Sequence, residues 1–293
     1  MKTTQSRTTS GLVLATFGAL LLTPDTLFMR LSQLDGWNML VWRGGLSGLA
    51  YFFIWALLNG RQKWSKIITL NFGILVTCQM LNAALFSLAI ASAPVAVVLI
   101  GVATVPIFAA VLSRIILNEV LSKSALVTAT IVFAGLFLSV LGKDEAGVAL
   151  NFVTVSGLFL GLGVAFALAI NFTIIRKDTE VPFVLAMAIG AISAAALGVV
   201  FAETLYMPPL KNLMAIATTG IVILPLSFAT LSYAARYVSS STVSLIMLSE
   251  TVLGPLWVWW GIGESPSTMM LMSGAIVLPA IALFLTYEGR RKA

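Results

Sequence analysis

Apolar residues run along this chain in long unbroken stretches separated by short polar turns. A helix rises ~1.5 Å per residue, so it needs about 20 mostly apolar residues to cross a ~30 Å hydrocarbon core. Ten stretches reach that length, at roughly 11–30, 37–58, 67–91, 94–116, 124–141, 154–175, 181–201, 213–235, 241–261 and 268–287. Transmembrane β-strands would be shorter, alternating and punctuated by turns. The pattern therefore predicts an all-α membrane protein with ten transmembrane helices. The first stretch follows Lys2 and Arg7 as a signal peptide would. It exceeds a typical apolar signal region, and no small-x-small cleavage site follows it, so it reads as span 1.

Composition changes the picture only by exclusion. Of 293 residues, 59% are hydrophobic and 10% charged, with mean hydropathy +1.04. A soluble domain is about a quarter charged, and a disordered chain is poor in apolar residues. Neither fits. The net charge of +6 would suggest nucleic acid in a soluble protein. Here the basic residues distribute by side, so nucleic acid is not an expected partner. With the N-terminus inside, the outer side carries only Arg30, Lys143 and Lys211 of the 17 Lys and Arg. Arg43 lies within a span, and Lys2, Arg7, Arg61, Lys63, Lys66, Arg114, Lys123, Arg176, Lys177, Arg236, Arg290, Arg291 and Lys292 fall inside. That positive-inside bias puts both termini in the cytoplasm.

The two halves of the chain resemble each other. At an offset of 145, Ser87 falls on Ser232, Ala89 on Ala234, Val98 on Val243, Glu119 on Glu264, and Ile131-Val132 on Ile276-Val277. At 146, Gly11-Leu12 meets Gly157-Leu158, Leu14 meets Leu160 and Arg30 meets Arg176. Five spans per half is an odd number, so the copies are expected head-down against each other. Inverted five-helix repeats are a signature of secondary transporters. The domain plan is a cytoplasmic tail (1–10), a first repeat (11–141), an outer linker (142–153), a second repeat (154–287) and a cytoplasmic tail (288–293).

A proline-containing fourth span ending in an acidic turn, Pro106 to Asn118-Glu119, is repeated in part as Gly263-Glu264. With the two five-helix halves, this resembles the drug/metabolite transporter superfamily, and within it the ten-helix EamA-type exporters of bacterial inner membranes. The resemblance spans roughly residues 11–287. The second half carries Thr251 where the first has Pro106, and its proline at Pro255, so the bend in span 9 is open. The resemblance implies a central cavity lined by spans 1, 3, 4, 6, 8 and 9. It also implies export of amino acids, neutral or aromatic ones suiting a weakly charged cavity, or of drugs or other metabolites. A channel-like facilitator is the alternative.

Polar groups within a bilayer are costly and face the bundle interior or a wet cavity. Asp25 and Arg43 lie about six residues from the outer ends of spans 1 and 2, at similar depth, which predicts a buried ion pair or a gating, proton-linked one. Glu250 sits near the middle of span 9 with no basic residue obvious at its depth. It is a candidate for proton coupling or for recognition of a substrate amine. Gln79 and Asn82 share a face of span 3. With Asn171, Ser227, Thr230, Tyr233 and Trp259 they form the candidate substrate set. Pro24, Pro106, Pro225 and Pro255 are candidate hinges, because proline removes a backbone donor. Gly44-xxx-Gly48 and Gly157-xxx-Gly161 read as close-packing faces, and Trp257, Trp259 and Trp260 as interfacial anchors. The chain has no histidine and one cysteine, no phosphate loop and no dinucleotide fingerprint after a strand. No metal, nucleotide cofactor or enzyme chemistry is therefore expected. The expected partners are a small solute, the lipid bilayer and a proton; the oligomeric state is open.

Overall fold

A computed structural model describes residues 2–59, 67–93, 95–119, 123–141, 152–263 and 268–291. Every regular element among them is helical. In order they are α1 (Lys2–Leu22), α2 (Asp25–Ser32), α3 (Gly36–Asn59), α4 (Leu70–Ser92), α5 (Val95–Val102), α6 (Val105–Leu117), α7 (Lys123–Leu141), α8 (Phe152–Lys177) and α9 (Phe183–Phe201). Then come α10 (Leu210–Ala217), a π-helical stretch (Thr218–Ile223), α11 (Leu224–Ala234), α12 (Ser240–Met247), α13 (Ser249–Ile262) and α14 (Thr268–Arg291).

Among the described residues, eight helical runs are long and apolar enough to cross a membrane. They coincide with expected spans 1 to 4 and 6 to 9. Spans 5 and 10 correspond to α7 and α14, whose described apolar stretches, Lys123–Gly135 and Gly274–Tyr287, are shorter. The chain is a multi-pass helical membrane protein. Glu264, most of the expected linker, and Arg61, Lys63, Lys66, Lys143 and Lys292 lie outside the described residues.

Four spans depart from regular α-helix, three by a break and one by a π stretch. Span 1 breaks at Thr23-Pro24, where Thr23 Oγ1 donates to the Leu20 carbonyl at 2.8 Å. Span 4 breaks at Ala103-Thr104, and Pro106 sits in the first turn of α6, where its missing N–H costs nothing. Span 8 widens into π geometry just before Pro225, whose ring cannot continue the hydrogen-bond ladder. Span 9 breaks at Leu248, with Pro255 inside the continuous α13. The bend left open by the sequence is therefore at Leu248, seven residues before the proline.

The offset of 145 reappears in the element boundaries. Shifted by 145, Val95–Val102 becomes 240–247, the bounds of α12, and Leu117 becomes Ile262, the end of α13. The residues that follow, Asn118 and Gly263, both take left-handed backbone (φ 53° and 82°). Such a C-cap satisfies the last carbonyls of a helix.

Helices from the two halves of the chain pack on one another. α4 runs along α8, and α1 along α11; α3 packs on α9, α6 on α12, and α7 on α14. Gly44 of α3 faces Ala191 and Ala195 of α9, Gly48 faces Ala188 and Ile192, and Gly198 faces Trp37 and Val41. Ascending positions on α3 meet descending positions on α9, so these two helices are antiparallel. Gly157 and Gly161 of α8 meet Ala93 and Val98, and Gly161 also meets Gly101. In lipid, van der Waals contact between closely approaching backbones drives such association.

Candidate functional site

The helix breaks converge. A central cavity is lined by Leu22 and Asp25 at the span 1 break, Val102 at the span 4 break, Leu224 at the π stretch, and Met247 and Glu250 at the span 9 break. Irregular backbone at membrane depth is tolerated where it lines a cavity. α3 adds Leu40, Arg43, Gly44 and Ser47, and α4 adds Gln79, Asn82, Ala83, Phe86 and Ser87. Val164 and Leu168 of α8 and Phe228 of α11 close the wall. Spans 1, 3, 4, 6, 8 and 9 all contribute, as the resemblance implied; span 2 contributes as well. The space is about 30 Å3, room for about two water molecules. A larger solute enters only if the lining parts.

Arg43 Nη2 donates to Asp25 Oδ2 at 2.5 Å, with both side chains buried. The Arg43 guanidinium also lies 5.5 Å from the centre of the Phe86 ring. Glu250 lines the same cavity and is within electrostatic reach of both. The sequence showed no cation at its depth, because counting residues places Arg43 nearer the outer end of its span than Glu250. Asp25 Oδ1, Arg43 Nε, Gln79 Oε1 and Ser87 Oγ are buried without a hydrogen-bond partner. A buried polar atom without a partner costs about 1–3 kcal/mol, and the cavity beside these atoms has room for water to bond them.

Of the candidate substrate residues, the cavity brings together Gln79, Asn82 and Glu250 with the Asp25–Arg43 pair. Asn171 and Ser227 are buried outside its lining, and Asn171 Nδ2 and Ser227 Oγ lack partners. Thr230 Oγ1 donates to the Leu226 carbonyl at 2.5 Å. Tyr233 is 45% exposed, its ring beside Phe183 and Tyr237. Trp259 is 47% exposed. Trp257, expected as an anchor, donates from Nε1 to Thr23 Oγ1 at 2.9 Å and ties α13 to the span 1 break. Ser47, Phe86, Ser87 and Phe228 line the cavity without having been singled out as substrate contacts. Extending the Gln79/Asn82 face by one helical turn reaches Phe86.

Polar clasps hold the two ends of the bundle. At one end Asp35 Oδ1 accepts from the backbone N–H of Trp37 and Asn38 and so caps α3. Asn38 Nδ2 donates to the Thr204 carbonyl, and the Tyr206 hydroxyl donates to Asp35 Oδ2. Partial burial raises the Asp35 pKa, but the bonds from Asn38, Tyr206 and Trp37 outweigh it and hold the carboxyl below its usual range. At the other end Arg176 binds Glu119 and the Val238 carbonyl, and Asn71 Nδ2 donates to Asp178 Oδ2. Burial pulls the Arg236 guanidinium below its ordinary pKa. Its Nη2 donates to the Val181 carbonyl, and it lies over the Phe183 ring.

Among the described residues no cluster of His, Cys, Asp or Glu could hold a metal ion. No curated protein matches the chain. A solved crystal structure 17% identical to it covers 96% of this chain and 97% of its own, with a TM-score of 0.78, and so shares the fold. Residues 9–141, the first five expected spans, are similar to the EamA-like transporter family.

Proposed function

We propose that the chain is a secondary transporter that exports amino acids, neutral or aromatic ones favoured, by alternating access around the central cavity. The observation that carries this reading is the cavity itself: four interrupted spans meet there and expose a charged, partly unpartnered cluster at the core of the bundle. Broken helices around a midplane site are the build of secondary transporters. The ten-span, inverted-repeat reading is supported by the antiparallel run of α3 on α9 and by the boundaries repeated at an offset of 145. The positive-inside count supports cytoplasmic termini, and the family resemblance a bacterial inner membrane. The narrower resemblance is to the bacterial amino-acid exporter YddG.

In this reading Gln79, Asn82 and Glu250 contact solute, and Asp25 and Arg43 gate it with Glu250 as the proton-linked group. Pro24, Pro106 and Pro225 stand beside three of the interruptions, and Leu248 takes the hinge place assigned to Pro255. Asn171 and Ser227 join the lining when the halves rock apart; Thr230, Tyr233 and Trp259 flank the path. The test uses purified protein in liposomes. Unlabelled amino acid trapped inside should drive saturable uptake of labelled amino acid, and an imposed pH gradient should change the rate. Flux without saturation or counterflow would replace the carrier with a channel-like facilitator. Counterflow of drugs or other metabolites but not amino acids would change the substrate class.

A further inference from the structure

Two carboxylates and one guanidinium line a cavity otherwise walled by apolar and uncharged groups. Arg43 bonds Asp25 Oδ2 through Nη2, and its Nε is a buried donor without a partner. Glu250 makes no hydrogen bond or ion pair among the described residues. The helices packed on α13 bring no cation to it: α2 carries Asp25 and Arg30, and Arg30 is outside the cavity lining. The described side chains of α1, α5, α12 and α14 carry no charge. The nearby phenol of Tyr51 donates to the Leu224 carbonyl at 2.9 Å.

The lining therefore holds one more carboxyl group than it has cations. A buried charge without a counter-charge is expensive. Asp25 Oδ1 and Gln79 Oε1 are acceptors, both on side chains more than nine-tenths buried, and neither has a donor. Three acceptor groups facing one space want a compact donor with several N–H bonds and a positive charge. An ammonium group supplies three donors and that charge. Beside these groups stand Phe86, Phe228, Leu168 and Met247, which suit an apolar body.

We propose that the cavity selects solutes by an ammonium group, held by Glu250, Asp25 Oδ1 and Gln79 Oε1, with the apolar part of the solute against Phe86 and Phe228. This inference rests on the cavity being the solute site of a carrier.

The test is counterflow in liposomes with four solutes that share one ring: phenylalanine, phenylethylamine, N-acetylphenylalanine and 3-phenylpropionate. The two with a free amine should compete at least tenfold better than the two without. Glu250→Gln should cost the amines at least tenfold while leaving the folded, monodisperse protein intact, and Glu250→Asp should restore part of the loss. Equal competition by all four solutes overturns the inference and leaves the carrier standing. So does a Glu250→Gln protein that loses only its pH dependence and keeps the same ranking. If neither these four nor a wider panel of solutes paired with and without an amine shows saturable counterflow, the carrier reading falls and this inference with it.

Discussion

Arg176 Nε lies 2.5 Å from Glu119 Oε1, and the same guanidinium donates from Nη1 to the Val238 carbonyl at 2.9 Å. One side chain at the end of α8 thus holds the end of α6 and the turn before α12. The pair is only partly buried, at 26% and 30% exposure. Partly exposed ion pairs contribute about 0.2–1 kcal/mol. Glu119→Gln should therefore lower the melting temperature only slightly. Because it loosens a clasp between the halves, it should also speed thiol labelling of the buried Cys78 several-fold. Unchanged labelling would mean that the clasp does not control opening.

The Asp25–Arg43 pair should behave very differently. Removing one partner of a buried pair leaves an uncompensated charge and costs about 3–5 kcal/mol. Arg43→Met or Asp25→Asn alone should be strongly destabilising in detergent unfolding. The double change Asp25→Leu/Arg43→Met should recover most of the loss while abolishing transport. A double variant as unstable as the worse single would argue against mutual neutralisation.

Glycine contacts predict opposite signs at two positions. A Cβ on Gly161 would strike the Val98 backbone and Gly101 across the α5–α8 crossing. Gly161→Ala should force the helices apart at a cost of about 1–3 kcal/mol. At Gly73 a Cβ meets nothing within 4 Å. Gly73→Ala should be neutral or stabilise α4 by up to about 1 kcal/mol, by helix propensity. Thermal unfolding of the two variants side by side checks both.

Asp35 supplies a pH-dependent term. Its pKa is held below the ordinary value of about 3.9, net of the raising effect of burial. Its contribution is therefore fully present above that pH and is lost as pH falls through the depressed value. At neutral pH, Asp35→Ala should cost about 1 kcal/mol through the lost cap on α3. The gap between the two proteins should close in acid below about pH 4. A gap constant from pH 7 to pH 3 would refute the capping role.

The long apolar runs were legible because bilayer thickness and helix rise convert directly into a residue count. A likeness between the two halves was legible as sequence because Glu119 and Glu264, or Arg30 and Arg176, keep a nearly constant offset. Asp25 and Arg43 could be paired from depth alone, since they lie on adjacent spans 18 residues apart. Pro24, Pro106 and Pro225 marked three interruptions; the fourth, at Leu248, has no proline beside it.

What the amino-acid order determined by itself was whatever depends on local counts: where the long apolar helices run, and the nearly constant offset between matching residues of the two halves. What only the tertiary structure decided was which distant groups meet. Glu250 shares a cavity with Arg43, span 2 joins the lining, and Asn171, Ser227, Thr230, Tyr233 and Trp259 stand away from it. The reason is rotational. A helix hydrophobic all round gives no periodic signal of which face turns inward, and that choice is made by small-residue contacts with helices more than a hundred residues away, such as Gly44 on Ala191.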